Sequence, residues 1–309
     1  MHAIEVENLS RSFRGQVAVE GLGFEVAAGE LFGIVGPDGA GKTTTLRMLA
    51  GVLRPTEGDA RILGTSVRRD PEEIKRHIAY MPQRFGLYSD LTVSENIAFY
   101  ADLFQVPRAE RSARLERLFE FSGLGPFKDR LAGKLSGGMK QKLGLSCALI
   151  HQPQVLLLDE PTFGVDPISR RELWVIIHEM VAAGVTAVVS TSYLDEAERF
   201  DRLAMIHRGR SLAIATPSEL RASYPGELAA IRVTRAREAR DVVSALPFVD
   251  RALVFGERLH VSLRSYDQEV GATVEALRDA GFEPAEPERI EPGMEDVFIQ
   301  RIQKAEEAA

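Results

Sequence analysis

The chain has 309 residues, 45% hydrophobic and 27% charged, which is enough apolar content for a sizeable core and excludes bulk disorder. The net charge of −7 is uneven: residues 216–309 carry 12 Lys/Arg against 18 Asp/Glu, and the remainder is nearly balanced, so no basic surface suits nucleic acid. The single cysteine, Cys147, excludes an intrachain disulfide and fits a reducing compartment, and no apolar run reaches the roughly 18 residues of a spanning helix.

The opening MHAIEVENLS has neither a charged n-region nor an apolar h-region, so no signal peptide is expected. Ile4–Leu9 alternates as a strand does. Leu31–Val35 is a short apolar strand, followed by a Gly-rich turn and a helical stretch over Lys42–Ala50. Ala60–Leu63 and Ile78–Met81 are further short strands. A helix is predicted over Thr92–Phe104, with Thr92 and Glu95 at capping-box spacing, and another over Arg108–Phe121. A helix over Gly137–Ile150 opens on two glycines. Val155–Leu158 is a wholly apolar, buried strand. Pro167–Val181 is a helix with Pro at its start, and Val185–Ser190 another apolar strand. Strands alternating with helices imply α/β with a parallel sheet.

The texture changes at 216–226. Beyond it, Ala229–Thr234, Val249–Val254 and Leu259–Leu263 read as strands, and Ala236–Leu246 and Glu269–Ala280 as helices. Glu283–Pro292, rich in Pro and Glu, reads as a loop, and Met294–Gln303 as a last helix. This is a small α+β unit. The expected domains are therefore 1–220 and 227–309.

Three motifs carry chemistry. Gly36-Pro37-Asp38-Gly39-Ala40-Gly41-Lys42-Thr43 has the phosphate-loop spacing, and its context is strand before and helix after. Its glycines let backbone N–H groups surround phosphate oxygens, and the helix adds its positive end. Lys42 suits the β- and γ-phosphates, and the Thr43 hydroxyl suits Mg²⁺. In VLLLDE, Asp159 and Glu160 emerge at the carboxyl end of a buried strand, where doubly wound sheets bind ligands. Asp159 suits a metal-bound water, and Glu160 suits polarising an attacking water. Ser136-Gly137-Gly138 opens a helix and forms a second anion-binding turn. Since the phosphate loop already wraps one nucleotide, this turn suits a nucleotide held by another subunit; the bland alternative is a plain helix cap.

With these motifs in order, the chain resembles the ATP-binding subunits of ABC transporters over Ile4 to Pro217. The matching stretches are GPDGAGKTT through Thr44, YMPQ ending at Gln83, LSGGMKQKL, VLLLDEP, and GVDP at Gly164–Pro167. The resemblance implies a P-loop NTPase of the ABC ATPase type, a mixed sheet core plus a helical subdomain at about 84–134, with the small C-terminal α+β domain appended. It implies ATP and Mg²⁺ as cofactors, with Thr43, Gln83 and Asp159 toward the metal. It implies head-to-tail pairing with a second ATP-binding subunit, identical or different, so that Ser136, Gly137 and Gly138 meet the partner's γ-phosphate and Asp166 lies at the seam. Phe13 stands where an aromatic residue stacks on adenine, although a buried core Phe is the alternative. The wording LSGGMKQKLGL, SYLDEAE and MEDVFI most resembles the ABC-2 type, multidrug-efflux-like exporters. Permease subunits are then the membrane partners, and the location is the cytoplasmic face of the cell membrane.

The stretch 84–127 holds 8 of the 22 aromatic residues. By the resemblance, Phe85, Leu87 and Tyr88 line a groove for a helix of the membrane subunit, while Phe99, Phe104 and Phe119 are expected to fill a small helical core. Two departures stand out. Ser192 occupies the place of a usual His that contacts the γ-phosphate, and Asp38 stands where Asn is usual. Serine is shorter and carries no charge. Two other functions stay open: a regulatory subunit with impaired hydrolysis in a heterodimer, and a soluble non-transport ABC ATPase. Against the latter, only 94 positions separate Lys42 from Ser136, with no heptad arm, and there is one nucleotide-binding motif set.

Overall fold

The computed structural model describes residues 1–84 and 86–307. It divides into two compact units, Met1–Pro217 and Ser218–Ala309.

In the first unit, β1 (His2–Phe13) and β2 (Gln16–Ala27) form a long antiparallel pair. β3 (Leu31–Val35) is wholly buried and leads into α1 (Lys42–Leu49). β4 (Glu57–Ile62), β5 (Thr65–Ser66), α2 (Pro71–Ile74) and β6 (Ile78–Met81) follow. Next come α3 (Val93–Leu103), α4 (Arg108–Ser122) and α5 (Gly137–Leu149). β7 (Val155–Asp159), α6 (Pro167–Ala182), β8 (Thr186–Thr191), β9 (Arg202–His207) and β10 (Arg210–Ala215) complete it.

Two sheets result. One is antiparallel, in the order β2-β1-β4-β5; the other runs β10-β9-β3-β8-β7-β6. In the latter, β9, β3, β8, β7 and β6 are parallel and β10 is antiparallel, so the sheet is mixed. The apolar face of α1 (Leu46, Met48, Leu49) shares one core with Ile4 and Val26 of the first sheet and Phe32 and Leu157 of the second. Burying each such side chain contributes about 1.5–3 kcal/mol.

Local signals account for several ends. Thr92 caps α3, accepting from the Glu95 N–H at 3.2 Å, while Glu95 Oε2 accepts from the Thr92 N–H at 2.8 Å. Asp166 caps α6 by accepting from the N–H groups of Ser169 and Ile168, and the Ser169 N–H and hydroxyl, ahead of Ile168, hold its carboxyl below its ordinary value. Ser136 caps α5. The helical-core expectation is corrected for Phe99 and Phe104, which are exposed. Along α3 the buried face is Val93, Asn96, Ile97 and Ala101, and Phe99 lies two residues off that stripe, on the opposite side. Phe99 instead packs edge-on to the exposed Tyr88, ring centroids 4.6 Å apart. Phe85 lies outside the described residues.

The second unit contains α7 (Pro217–Ala222, its first residue belonging to the first unit), β11 (Glu227–Arg232), α8 (Ala236–Ser244), β12 (Val249–Phe255), β13 (Arg258–Leu263), α9 (Tyr266–Asp279), β14 (Glu288–Ile290) and α10 (Met294–Glu307). Its antiparallel sheet has the order β12-β13-β11-β14, the βαββαβ split arrangement. The expected loop at Glu283–Pro292 is corrected in part, because Glu288–Ile290 pairs with Leu228–Ala230.

Candidate functional site

Strand register brings the site together. Val35 of β3 sits opposite Thr191 of β8, and Asp159 of β7 opposite Ser190. Residues following these parallel strands, Gly36, Glu160 and Ser192, therefore emerge side by side at the carboxyl edge of the sheet. β6 lies beside β7, with Met81 opposite Leu158, and delivers Gln83 to the same edge.

The loop 36–43 depends on two glycines in particular. A Cβ on Gly36 would meet the Ile206 carbonyl oxygen at 2.2 Å. Gly41 has φ +105°, and a Cβ there would meet the Ala18 carbonyl oxygen at 2.7 Å. Gly41 also caps α1, so Lys42 begins that helix and its N-terminal N–H groups open on the loop.

Lys42 is buried, and its Nζ lies 2.8 Å from Gly36 O, 3.0 Å from Pro37 O, 2.8 Å from Ser192 Oγ and 2.9 Å from Glu160 Oε1. One ammonium has three N–H donors, so these four acceptors exceed its capacity. Ser192 Oγ also lies 2.9 Å from Glu160 Oε1 and 3.1 Å from Asp38 Oδ1. Its single proton serves one carboxylate at a time. Gln83 Nε2 donates to Glu160 Oε2 at 3.2 Å.

Thr43 Oγ1 and Ser190 Oγ donate to Asp159 Oδ1 at 3.0 and 2.8 Å. The Tyr80 hydroxyl stands 3.5 Å from Asp159 Oδ2, and burial together with that carboxylate pushes the phenol up. Ser190 and Tyr80 were not singled out from the sequence; only their places at the ends of β8 and β6 could have flagged them. Glu160 adopts φ 49°, in the left-handed region, which costs a non-glycine residue about 1–3 kcal/mol. Two bonds hold it there: its N–H lies 3.2 Å from Ser190 O and 3.0 Å from Ser190 Oγ.

A cavity of about 520 Å³ is lined by Phe13, Asp38, Gly39, Gly41, Lys42, Thr43, Thr44, Gln83 and Glu160, with Gln16–Ala18 from β2. Phe13 is 43% exposed at its rim, with the Arg11 guanidinium 4.6 Å from the ring centroid, so it is not a core residue. Ser136, Gly137 and Gly138 do not line this cavity. Gly137 instead borders a second one, of about 360 Å³, with Gln83, Leu87 and Lys140. Gly138 is buried against Ser169 of α6, where a Cβ would come within 2.3 Å.

Of the three carboxylates at this edge, Glu160 pairs with the Lys42 ammonium, Asp38 meets the Ser192 hydroxyl, and Asp159 meets the hydroxyls of Thr43 and Ser190. The Thr43 hydroxyl beside the Asp159 carboxylate offers the oxygen ligands a hard divalent cation takes, and Lys42 at the start of α1 fits phosphate.

The ABC transporter family model matches residues 19–163. The chain is 42% identical over 301 residues to the probable multidrug ABC transporter ATP-binding protein YbhF of Escherichia coli (strain K12), covering 96% of this chain and 51% of that protein. It thus spans about half the length of the first relatives it matches. It is 40% identical over 247 residues to the daunorubicin/doxorubicin resistance ATP-binding protein DrrA of Streptomyces peucetius, covering 79% of this chain and 75% of that one. A solved ATP binding subunit of an ABC transporter aligns with a TM-score of 0.65 at 32% identity, over 71% of this chain and 92% of that one. The fold is that of the P-loop nucleoside triphosphatases.

Proposed function

Given that the chain belongs to the ABC transporter family, among its ATP-binding proteins, we propose that it binds and hydrolyses MgATP and powers an ABC-2 type exporter. One observation carries the reading: the loop around Lys42 and the acids Asp159 and Glu160 share one edge, with Lys42 Nζ 2.9 Å from Glu160.

The loop N–H groups and the start of α1 bind the β- and γ-phosphates, and Phe13 stacks on the adenine. Lys42 exchanges its side-chain acceptors, Glu160 and Ser192, for phosphate oxygens. Thr43, Asp159 and Gln83 would hold Mg²⁺, which would supply positive charge to offset the phosphates. Freed from Lys42, Glu160 accepts a proton from the attacking water, and Gln83 keeps its carboxylate oriented. Water and ATP yield ADP and phosphate. Ser136, Gly137 and Gly138, which sit away from the chain's own loop, serve the nucleotide of a second subunit in a head-to-tail pair, with Asp166 at the seam.

The export reading draws support from the relatives, whose names refer to multidrug transport, to daunorubicin/doxorubicin resistance and to Nod factor export. Among the described residues no helix is long and apolar enough to cross a membrane. Permease subunits supply the pathway, and this chain docks on their cytoplasmic side; residues 227–309 form an accessory domain. A second reading, a regulatory subunit with slow turnover in a heterodimer, is favoured by one feature. Ser192, where the family's His is usual, gives two carboxylates and an ammonium only a hydroxyl.

The test is Lys42→Ala. It should abolish ATP-dependent turnover and sharply weaken nucleotide binding, read by phosphate release and by titration of a fluorescent nucleotide. An unchanged turnover rate would remove this loop as the active site.

A further inference from the structure

One buried carboxylate, outside the lining of the nucleotide cavity, is not used by the mechanism above. Glu196 follows β8 in the turn Leu194–Arg199 and is fully buried. Its Oε1 accepts from Arg170 Nε at 2.6 Å and from Trp174 Nε1 at 2.8 Å. Its Oε2 accepts from Thr162 Oγ1 at 3.1 Å and from Thr191 Oγ1 at 2.6 Å. Four donors satisfy all four lone-pair positions of the carboxylate.

The donors come from the segments that frame the site. Thr162 lies two residues beyond the strained Glu160. Thr191 directly precedes Ser192, its backbone oxygen accepts from the Gly36 N–H at 3.3 Å, and its hydroxyl accepts from the Tyr193 N–H at 3.0 Å. Arg170 and Trp174 belong to α6, the helix capped by Asp166. Arg170 also grips Asp195 with Nη2 at 2.8 and 2.9 Å, and its guanidinium lies 4.4 Å from the Tyr193 ring centroid. Glu196 itself lines no part of the 520 Å³ cavity.

We propose that Glu196 is a positioning residue for hydrolysis, joining the Glu160 segment, the Ser192 segment and the Asp166-capped helix into one rigid unit. The proposal rests on the hydrolytic reading of the site. A charged acceptor buried among its donors is costly to disturb, because each donor is then left without a partner. Displacing a catalytic group by about 1 Å costs on the order of 10²-fold in rate. Since no group of Glu196 reaches the nucleotide cavity, its loss should appear in the chemical step and not in nucleotide affinity.

The experiment compares wild type, Glu196→Gln and Thr162→Val in the full chain, using single-turnover ATP hydrolysis with protein in excess, MgATP affinity and thermal unfolding. Glutamine keeps the shape but directs an NH₂ at two of the four donors. It should cut the hydrolysis rate by about 10–10²-fold, with ATP affinity within about twofold of wild type. Thr162→Val, which removes one hydroxyl and leaves the carboxylate, should slow hydrolysis in the same direction, and Thr162→Ser should restore it. If Glu196→Gln does not fold, the Thr162 pair carries the test alone. A hydrolysis rate within twofold of wild type, or rate and affinity falling by the same factor, overturns the positioning role and leaves the hydrolytic reading intact. A wild-type chain with no turnover, alone or with a partner ATPase, overturns the hydrolytic reading and this proposal with it.

Discussion

Replacing Ser192 with histidine should raise the turnover of the purified chain. The wild-type hydroxyl stands 2.8 Å from Lys42 Nζ, 2.9 Å from Glu160 Oε1 and 3.1 Å from Asp38 Oδ1. It has one proton for two carboxylates and no charge to offer a phosphate. An imidazole has two ring nitrogens, and a neighbouring carboxylate pair favours its protonated form, so it can donate on both sides and answer negative charge. A preorganised electrostatic group of this kind is worth about 10²–10³ in rate, or roughly 3–4 kcal/mol. Partial recovery, with the surrounding geometry tuned to serine, sets the expectation at a tenfold rise or more. The assay is steady-state phosphate release for wild type and Ser192→His, each alone and with a candidate partner ATPase. In a complex whose partner carries its own histidine, the gain should shrink, because one competent site already exists. Wild type turning over alone at about 1 s⁻¹ or faster, within the ordinary enzyme range, with no response to Ser192→His, would refute the impaired-site reasoning.

Two further outcomes concern the same site and a third a partly buried histidine elsewhere in the first unit. Glu160→Gln should keep MgATP binding, lower turnover by about 10²–10⁴-fold and accumulate a dimer with MgATP in size-exclusion chromatography; persistence as a monomer at high concentration counts against a self-paired sandwich. Asp38 is exposed on the phosphate loop, so Asp38→Asn should tighten ATP binding by about 1 kcal/mol, roughly fivefold, with the gain fading in high salt; a salt-independent change would contradict a Coulombic origin. His151 is depressed below the ordinary imidazole value, first by burial, then against its hydrogen bond to Ile78 O at 3.0 Å, with Arg114 adding to the depression. Between its lowered folded value and about 6.5, the unfolded chain binds the extra proton, so stability should fall as pH drops through that window. Thermal melts of wild type and His151→Phe between pH 7.5 and 5 should show a shallower slope in the variant, and equal slopes would assign the loss to other groups.

Much of the secondary structure is legible because its signals are local. The Thr92/Glu95 pair is a three-residue pattern and caps α3. The apolar runs of β3, β7 and β8 are read as strands, that of β7 as a buried one, from composition alone, and the structure buries every residue in all three. The phosphate-loop spacing is equally local, since the glycines and Lys42 fall within one turn. Long-range pairing is less visible. β2 carries Gly21 and Gly23, which weaken its strand pattern, and its stability comes from β1 across a register interrupted by bulges. β14 is a Pro- and Glu-flanked triplet that becomes a strand only because Leu228–Ala230 offers an edge.

The sequence by itself determined which chemical groups exist and which short segments carry them: a phosphate loop, two acids after a buried strand, a serine where the family has histidine. The tertiary structure alone decided their assembly. Lys42 and Ser192 are 150 positions apart, and Gln83 and Glu160 are 77 apart, yet each pair lies within hydrogen-bonding distance. The buried hub at Glu196 draws its four donors from three separate segments, which the wording SYLDEAE around it does not reveal. The physical reason is that strand order in a parallel sheet is set by side-chain packing between segments remote in sequence. Register then converts that packing into position: once Val35 sits beside Thr191 and Asp159 beside Ser190, the residues that follow these strands share one edge of the sheet.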